Sequence, residues 1–203
     1  MRIPNATLKR YPVYLKALRK IKKDGKDKIM SSELSEYIAI KPTTIRRDFS
    51  LIGSLGKQGY GYNVDELIKI FSGELGVDFA EKIVLIGAGK LGKAILNYNC
   101  WNHVAGEIVC AFDKNPAGCG KIDVPLYDIK DLHKKMPKGC RIAIICITSG
   151  TQEVVDELAE VGVKGIINFT SEHFMLPKGM TARNVDVVAT IQELLFEVNT
   201  LNK

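Results

Sequence analysis

The chain has 203 residues, 46% hydrophobic and 26% charged, a composition that supports one large or two small folded domains and excludes a disordered chain. Its start, Met1-Arg-Ile-Pro4, has no apolar signal region and no apolar run nears the roughly 18 residues of a membrane span, so a cytoplasmic protein without a membrane partner is expected. The net charge of +6 lies wholly at one end: residues 1–80 carry 15 basic against 9 acidic side chains and residues 81–203 carry 14 of each, so a polyanion is expected to meet the first part only.

The first helix is predicted from Ala6 to Asp24, with Tyr11, Tyr14, Leu15, Leu18 and Ile21 at helical spacing and Gly25 as its stop. A second opens at Ser31-Ser-Glu33, where a serine can cap free N–H groups, and turns Leu34, Tyr37 and Ile38 to the core. A third begins at Pro42 and ends near Gly53. In it Ile45, Phe49 and Ile52 form an inward stripe, which leaves Thr43, Arg46, Arg47 and Ser50 facing solvent. Two arginines and hydroxyls on a short helix, preceded by another short helix and a tight turn, suit reading of a DNA major groove. Asp48 lies at the flank, where it braces an arginine. Residues Gly53 to Tyr62 hold four glycines among aromatic and polar residues and are expected to form a hairpin, the wing, with Lys57 and Gln58 near its tip. The candidate DNA contacts are therefore Thr43, Thr44, Arg46, Arg47, Ser50, Lys57 and Gln58. A small helical dimerisation domain that binds no nucleic acid is the alternative. Asn63, with Glu66 three residues on, is expected to cap a linking helix through about Leu75.

The neutral part opens with an apolar strand, Lys82 to Ile86, and then Gly87-Ala-Gly-Lys-Leu-Gly92 leading into a helix that reaches about Tyr98. In this strand-turn-helix setting the first glycine permits the turn, the second admits a pyrophosphate and the third lets helix pack on strand. A second strand, Ile108 to Phe112, ends in Asp113, 21 residues after Gly92, the spacing of a carboxylate that binds a ribose hydroxyl and repels the 2′-phosphate of NADP. The candidate cofactor contacts are Gly87, Ala88, Gly89, Lys90, Leu91, Gly92, Asp113 and Lys114, and NAD(H) is the expected cofactor. Another nucleotide-bearing ligand, such as coenzyme A, is the alternative. The alternation continues through Arg141–Ile147, Thr151–Val161 and Lys164–Phe169, as a doubly wound parallel sheet requires. In the last helix Val187, Ile191, Leu194, Val198 and Leu201 form an apolar seam, which could pack on its own domain or on a second subunit.

The five cysteines fit neither a metal pattern nor a disulfide framework, and Cys119 alone is expected in an exposed loop. No metal site is expected. An NAD-dependent dehydrogenase would need a substrate domain, for which the roughly 120 residues after the basic module leave no room, and His103, His133 and His173 show no catalytic spacing. A DNA-binding protein whose dinucleotide fold serves only as a dimerisation scaffold is a further rival.

With these parts assembled, the chain resembles the Rex family of bacterial redox-sensing transcriptional repressors nearly end to end. The resemblance is carried by Ile45-Arg-Arg-Asp-Phe-Ser50, Gly56-Lys-Gln-Gly-Tyr-Gly-Tyr-Asn63, the glycine loop, Gly165-Ile-Ile-Asn-Phe169 and Asn184-Val-Asp186. It implies an α/β protein: a winged helix-turn-helix domain with its linking helix over residues 1–80, a Rossmann-type domain over 81–185, and a terminal helix over 186–203 that is swapped between subunits of a homodimer. It also implies binding of palindromic double-stranded operator DNA with NAD+ or no ligand, release on binding NADH, control of fermentation and NADH-oxidation genes, and no enzymatic activity. A polar switch cluster is implied at Lys16, Tyr98 and Asp186. The chain departs from the family pattern at Lys16, a usual arginine, at Leu51, a usual tyrosine, at Gln58, a usual wing arginine, and at Thr148-Ser149, a usual Val-Pro.

Overall fold

The computed structural model describes residues 3–53, 60–76, 81–97 and 106–201, and the chain divides into two compact units, Met1–Asp78 and Phe79–Lys203. The first unit holds α1 (Asn5–Leu8), α2 (Tyr11–Lys23), β1 (Lys28–Ile29), α3 (Ser31–Ile38), α4 (Pro42–Ser50), β2 (Tyr62–Asn63) and α5 (Val64–Glu74). The single first helix expected from the periodicity is two, because Pro12 has no N–H to continue a helix and instead occupies the first turn of α2. Nor does a serine cap α3. Its N-cap is Met30, in extended conformation, and the Glu33 carboxylate closes the turn by accepting the Met30 N–H at 2.9 Å. Leu34 is buried and Ile38 packs beside it, but Tyr37, expected inside, is 41% exposed. The turn into α4 passes through Ala39 in the left-handed region at φ 53°.

The expected inward stripe of α4 is present: Ile45 and Phe49 are buried and Ile52 packs against them. Phe49 meets Tyr14 of α2, Tyr62 of β2 and Phe71 of α5 at ring separations of 5.3, 4.9 and 5.3 Å, so α4 is seated on aromatic rings from three other elements. The tip of the expected wing, with Lys57 and Gln58, lies outside the described residues. Its returning end, β2, pairs antiparallel with β1, Lys28 opposite Asn63 and Ile29 opposite Tyr62. Two residues of strand carry no readable alternation, so β1 was not foreseen. Asn63 caps α5 as expected, its side chain accepting the Glu66 N–H at 2.9 Å.

The second unit runs β3 (Lys82–Ile86), α6 (Lys90–Asn97), β4 (Glu107–Asp113), β5 (Leu126–Asp128), α7 (Leu132–Lys135), β6 (Ile142–Ile145), α8 (Thr151–Glu160), β7 (Gly165–Asn168), β8 (Thr181–Asn184) and α9 (Val187–Leu201). All neighbouring strands are parallel, in the order β5-β4-β3-β6-β7-β8. Counted from its own first strand this is the 3-2-1-4-5-6 order of dinucleotide-binding sheets. The central strands β3 and β6 are almost continuously apolar and buried, since helices or loops cover both faces. The edge strands β5 and β8 escaped the sequence reading because they are short and only partly buried, with no apolar run.

In place of a crossover helix, a loop joins β7 to β8. The Glu172 carboxylate accepts the Thr151 N–H at the start of α8 at 3.0 Å, and Gln152 exchanges two hydrogen bonds with the Met175 backbone. Helix α9 buries none of its side chains within the chain.

Candidate nucleic-acid interface and dinucleotide site

On α4, Thr43, Arg46, Arg47 and Ser50 face solvent and Thr44 is half-buried, so the predicted set shares one side of the helix. The set is not uniform. Arg46 Nη1 donates to Ser31 Oγ at 2.9 Å, Ser50 Oγ donates back to the Arg47 carbonyl at 2.7 Å, and the Arg47 guanidinium meets no partner among the described residues. Two residues before β2, Tyr60 presents an aromatic side chain, 72% exposed.

Asp48 braces an arginine, as expected from its flank position, and the arginine is Arg10. Its carboxylate, buried at 1% exposure, accepts Arg10 Nε at 2.6 Å and Nη2 at 2.7 Å, Tyr14 Oη at 2.6 Å and Thr7 Oγ1 at 3.1 Å. Burial pushes the Asp48 carboxyl up, but the hydrogen bonds from Arg10, Tyr14 and Thr7 outweigh it and hold the group below its ordinary value. The bond to Asp48 raises the Arg10 guanidinium in turn, and burial together with the same carboxylate raises the Tyr14 phenol. Helix α4 is thus fixed to α1 and α2 by a charge that cannot be left unpaired. Sequence reasoning missed Thr7, Arg10 and Tyr14 because the three partners lie 34 to 41 residues away.

In the second unit a cleft of about 290 Å³ opens at the carboxyl ends of β3, β4 and β6. That is where the chain order of the sheet reverses, the place at which such sheets hold ligands. Gly87, Gly89, Asp113 and Lys114 line it, together with residues not foreseen: Ile129, Cys146, Glu153 and Val154. No motif marks these, and they are found only by following the strand ends. The departure at Thr148-Ser149 therefore falls on the cleft wall.

Each glycine of the loop has its own reason. Gly87 has φ 93°, and an added Cβ would lie 2.9 Å from the Cys146 backbone. At Gly92 a Cβ would collide with the Gly87 carbonyl oxygen, so helix and loop touch there. At Gly89 a Cβ would meet nothing within 4 Å, so no contact of the fold demands a glycine, and the bare backbone leaves room for a pyrophosphate at the start of α6. Ala88, buried, donates its N–H to Asp113 Oδ2 at 2.8 Å, and Asn115 N donates to Oδ1 at 2.8 Å. Asp113 thus ties the loop to the end of β4 and still has lone pairs for a ribose diol. Lys90 is exposed at the start of α6. Leu91, also exposed, lines a different cleft of about 460 Å³ with Asn168, His173 and Asp186.

The expected switch residues are placed as follows. Lys16 is exposed on α2, and Tyr98 lies outside the described residues. Asp186 precedes α9 and caps it, its Oδ1 accepting the Ala189 N–H at 2.9 Å. Cys119, expected to be exposed, is buried, and its thiol donates to the Asn115 carbonyl at 3.5 Å because the Pro116–Cys119 3-10 turn folds it inward. Burial pushes Cys110 and Cys146 up to about 12, so both thiols stay protonated at neutral pH. No cluster of potential metal ligands occurs among the described residues.

Residues 2–50 match the family described as "Putative DNA-binding protein N-terminus", and residues 78–172 match the CoA binding domain family. The redox-sensing transcriptional repressor Rex of Lactobacillus acidophilus is 42% identical over 97% of this chain and 95% of its own length, and Rex of Listeria welshimeri is 39% identical over 96% and 93%. Among solved structures, RSP in complex with β-NAD+ and operator DNA covers 100% of this chain and 95% of its own at TM-score 0.87 and 30% identity. The β-NADH complex of RSP gives 0.83 at 29% identity, and RSP is itself described as a Rex-family repressor. With relatives of this identity aligned along nearly the whole of both chains, the chain belongs to the Rex family of redox-sensing transcriptional repressors.

Proposed function

We propose that this chain binds a palindromic operator as a homodimer, with α4 in the major groove, and releases it when NADH occupies the cleft at the ends of β3, β4 and β6. The observation that carries the reading is the open backbone at Gly89 beside the Asp113 carboxylate, at the reversal point of a parallel sheet, in the chain that also exposes Arg46 and Arg47 on α4. NAD(H) would supply a diphosphate for the glycine loop and the N-terminus of α6, and a ribose diol for Asp113. Its relatives are repressors rather than enzymes, and the cleft's role is to bias DNA binding.

The match to a CoA binding domain favours a second ligand reading. Coenzyme A carries a 3′-phosphate on its adenosine ribose, which the Asp113 carboxylate would repel, so NAD(H) is the better fit.

For the dimer, α9 is the proposed interface. At 100° per residue, Leu201, Leu194, Val187, Val198, Ile191, Leu195 and Val188 span an arc of about 140°, and every one of them is exposed. That arc is wider than a two-helix seam and suits a helix exchanged into a second subunit with more than one neighbour. Lys16, Tyr98 and Asp186 are proposed as the switch, with Asp186 the group that changes partner. No helix among the described residues is long and apolar enough to cross a membrane. Cytoplasmic location follows from operator binding itself. Gel-shift titration of an operator duplex against NADH, NAD+ and coenzyme A tests the reading: release by NADH at the lowest concentration supports it, and release by coenzyme A alone would replace it.

A further inference from the structure

We propose that Ser31 is a positioning residue for operator recognition: its hydroxyl aims the Arg46 guanidinium into the groove. The inference rests on the repressor reading above and adds a residue that touches no DNA.

Ser31 is the first residue of α3 and Arg46 sits in the middle of α4, so their 2.9 Å hydrogen bond joins the two helices of the helix-turn-helix. A serine at a helix start ordinarily caps its own helix, but here Glu33 closes that turn and the Ser31 hydroxyl is given to Arg46. Ser31 is 7% exposed, whereas Arg46 is exposed, so a fixed group holds a mobile one. Guanidinium carries five N–H donors, and the single bond from Nη1 leaves the edge formed by Nε and Nη2 free for a guanine. An arginine loses much side-chain freedom when it docks, and one already held loses less on binding. Arg47 has no such support among the described residues, so the two arginines differ in preorganisation although they are neighbours on one face.

The test uses the full-length chain and the duplex that the unaltered protein enriches from a random-sequence pool, with a scrambled duplex of equal length beside it. Fluorescence anisotropy at fixed salt should show Ser31→Ala weakening the enriched duplex about two- to tenfold. Binding to the scrambled duplex should be unchanged. The loss should concentrate at the base pair where Arg46→Ala loses discrimination, and it should vanish in the Arg46→Ala background. Ser31→Thr, which keeps the hydroxyl, should bind as the unaltered chain does. Ser31→Cys keeps the volume with a weak acceptor and should behave like Ser31→Ala, so a packing defect is separated from a lost hydrogen bond. Equal losses on both duplexes, or losses of Ser31→Ala and Arg46→Ala that simply add, would overturn the proposal and make Ser31 a strut between helices. If the unaltered chain enriches no sequence, the repressor reading fails first and this inference with it.

Discussion

Two carboxylates, Asp48 and Asp113, each perform a task that their surroundings define. Asp48 is enclosed by Arg10, Tyr14 and Thr7, so removing its charge strands a guanidinium and a phenol that are oriented toward it. Asp48→Ala should therefore cost about 3 kcal/mol in urea unfolding. Because the folded carboxyl is held below its ordinary value, its contribution is complete above about pH 4 and is lost as the pH falls further. Asp48→Asn should be less stable at neutral pH, with the gap to the unaltered chain closing on acidification. A gap that stays constant down to pH 2 would remove the charge from the account. Asp113 has two tasks that substitution can separate. Asparagine keeps an oxygen for the Ala88 N–H but loses the charge, whereas alanine loses both. We expect Asp113→Asn to narrow the preference for NADH over NADPH with a modest loss of NADH affinity, and Asp113→Ala to lose about tenfold more. Calorimetry with both dinucleotides measures this, and equal NADH affinities for the two variants would show that the loop does not depend on Asp113.

Among the elements, α9 is the one whose sequence and surroundings disagree within a single chain. Seven aliphatic side chains along one arc, together with Phe196 at 71% exposure, make a surface that water does not favour. Since no side chain of α9 is fully buried within its own chain, deleting residues 187–203 should leave the secondary structure of both units intact by circular dichroism and convert the proposed dimer to a monomer by sedimentation. A truncated chain that still sediments as a dimer would place the interface elsewhere. The opposite case is α4, which is held by an aromatic cluster on one side and, at its flank, by the ion pair of buried Asp48 with Arg10, so its exposed face is presented on a rigid support.

At the scale of the whole molecule, the reading requires two sites to share a free energy. A ligand moves a DNA-binding equilibrium only by its differential affinity for the two states, and operator DNA must weaken NADH binding by the factor by which NADH weakens operator binding. A hundredfold effect corresponds to about 2.7 kcal/mol, within the usual range for allosteric coupling. The cap that Asp186 makes on α9 dictates the variant. Asp186→Ala would lose the charge and the cap together, whereas Asp186→Asn keeps an acceptor for the Ala189 N–H. Asp186→Asn should leave operator and NADH binding each within a few-fold of the unaltered chain while reducing the coupling between them. Unchanged coupling would take Asp186 out of the switch.

The two candidate sites were legible in the sequence because each rests on local spacing: the apolar stripe of α4 puts Arg46 and Arg47 outside, and strand, glycine loop and strand-end Asp113 follow from a pattern of about thirty residues. The Asn63 cap was legible for the same reason. What only tertiary structure decided depends on residues far apart in the chain or too few to form a pattern. The Arg10–Asp48 pair spans 38 residues, the edge strands β5 and β8 form because a neighbouring strand offers free hydrogen-bonding groups, and Cys119 is buried by a turn that composition does not announce. The Ser31 hydroxyl is the clearest case. Local rules assign it to a helix cap, but burial and the approach of α4 give it to Arg46, because a hydrogen bond to a charged group is stronger than a neutral cap that Glu33 has already replaced.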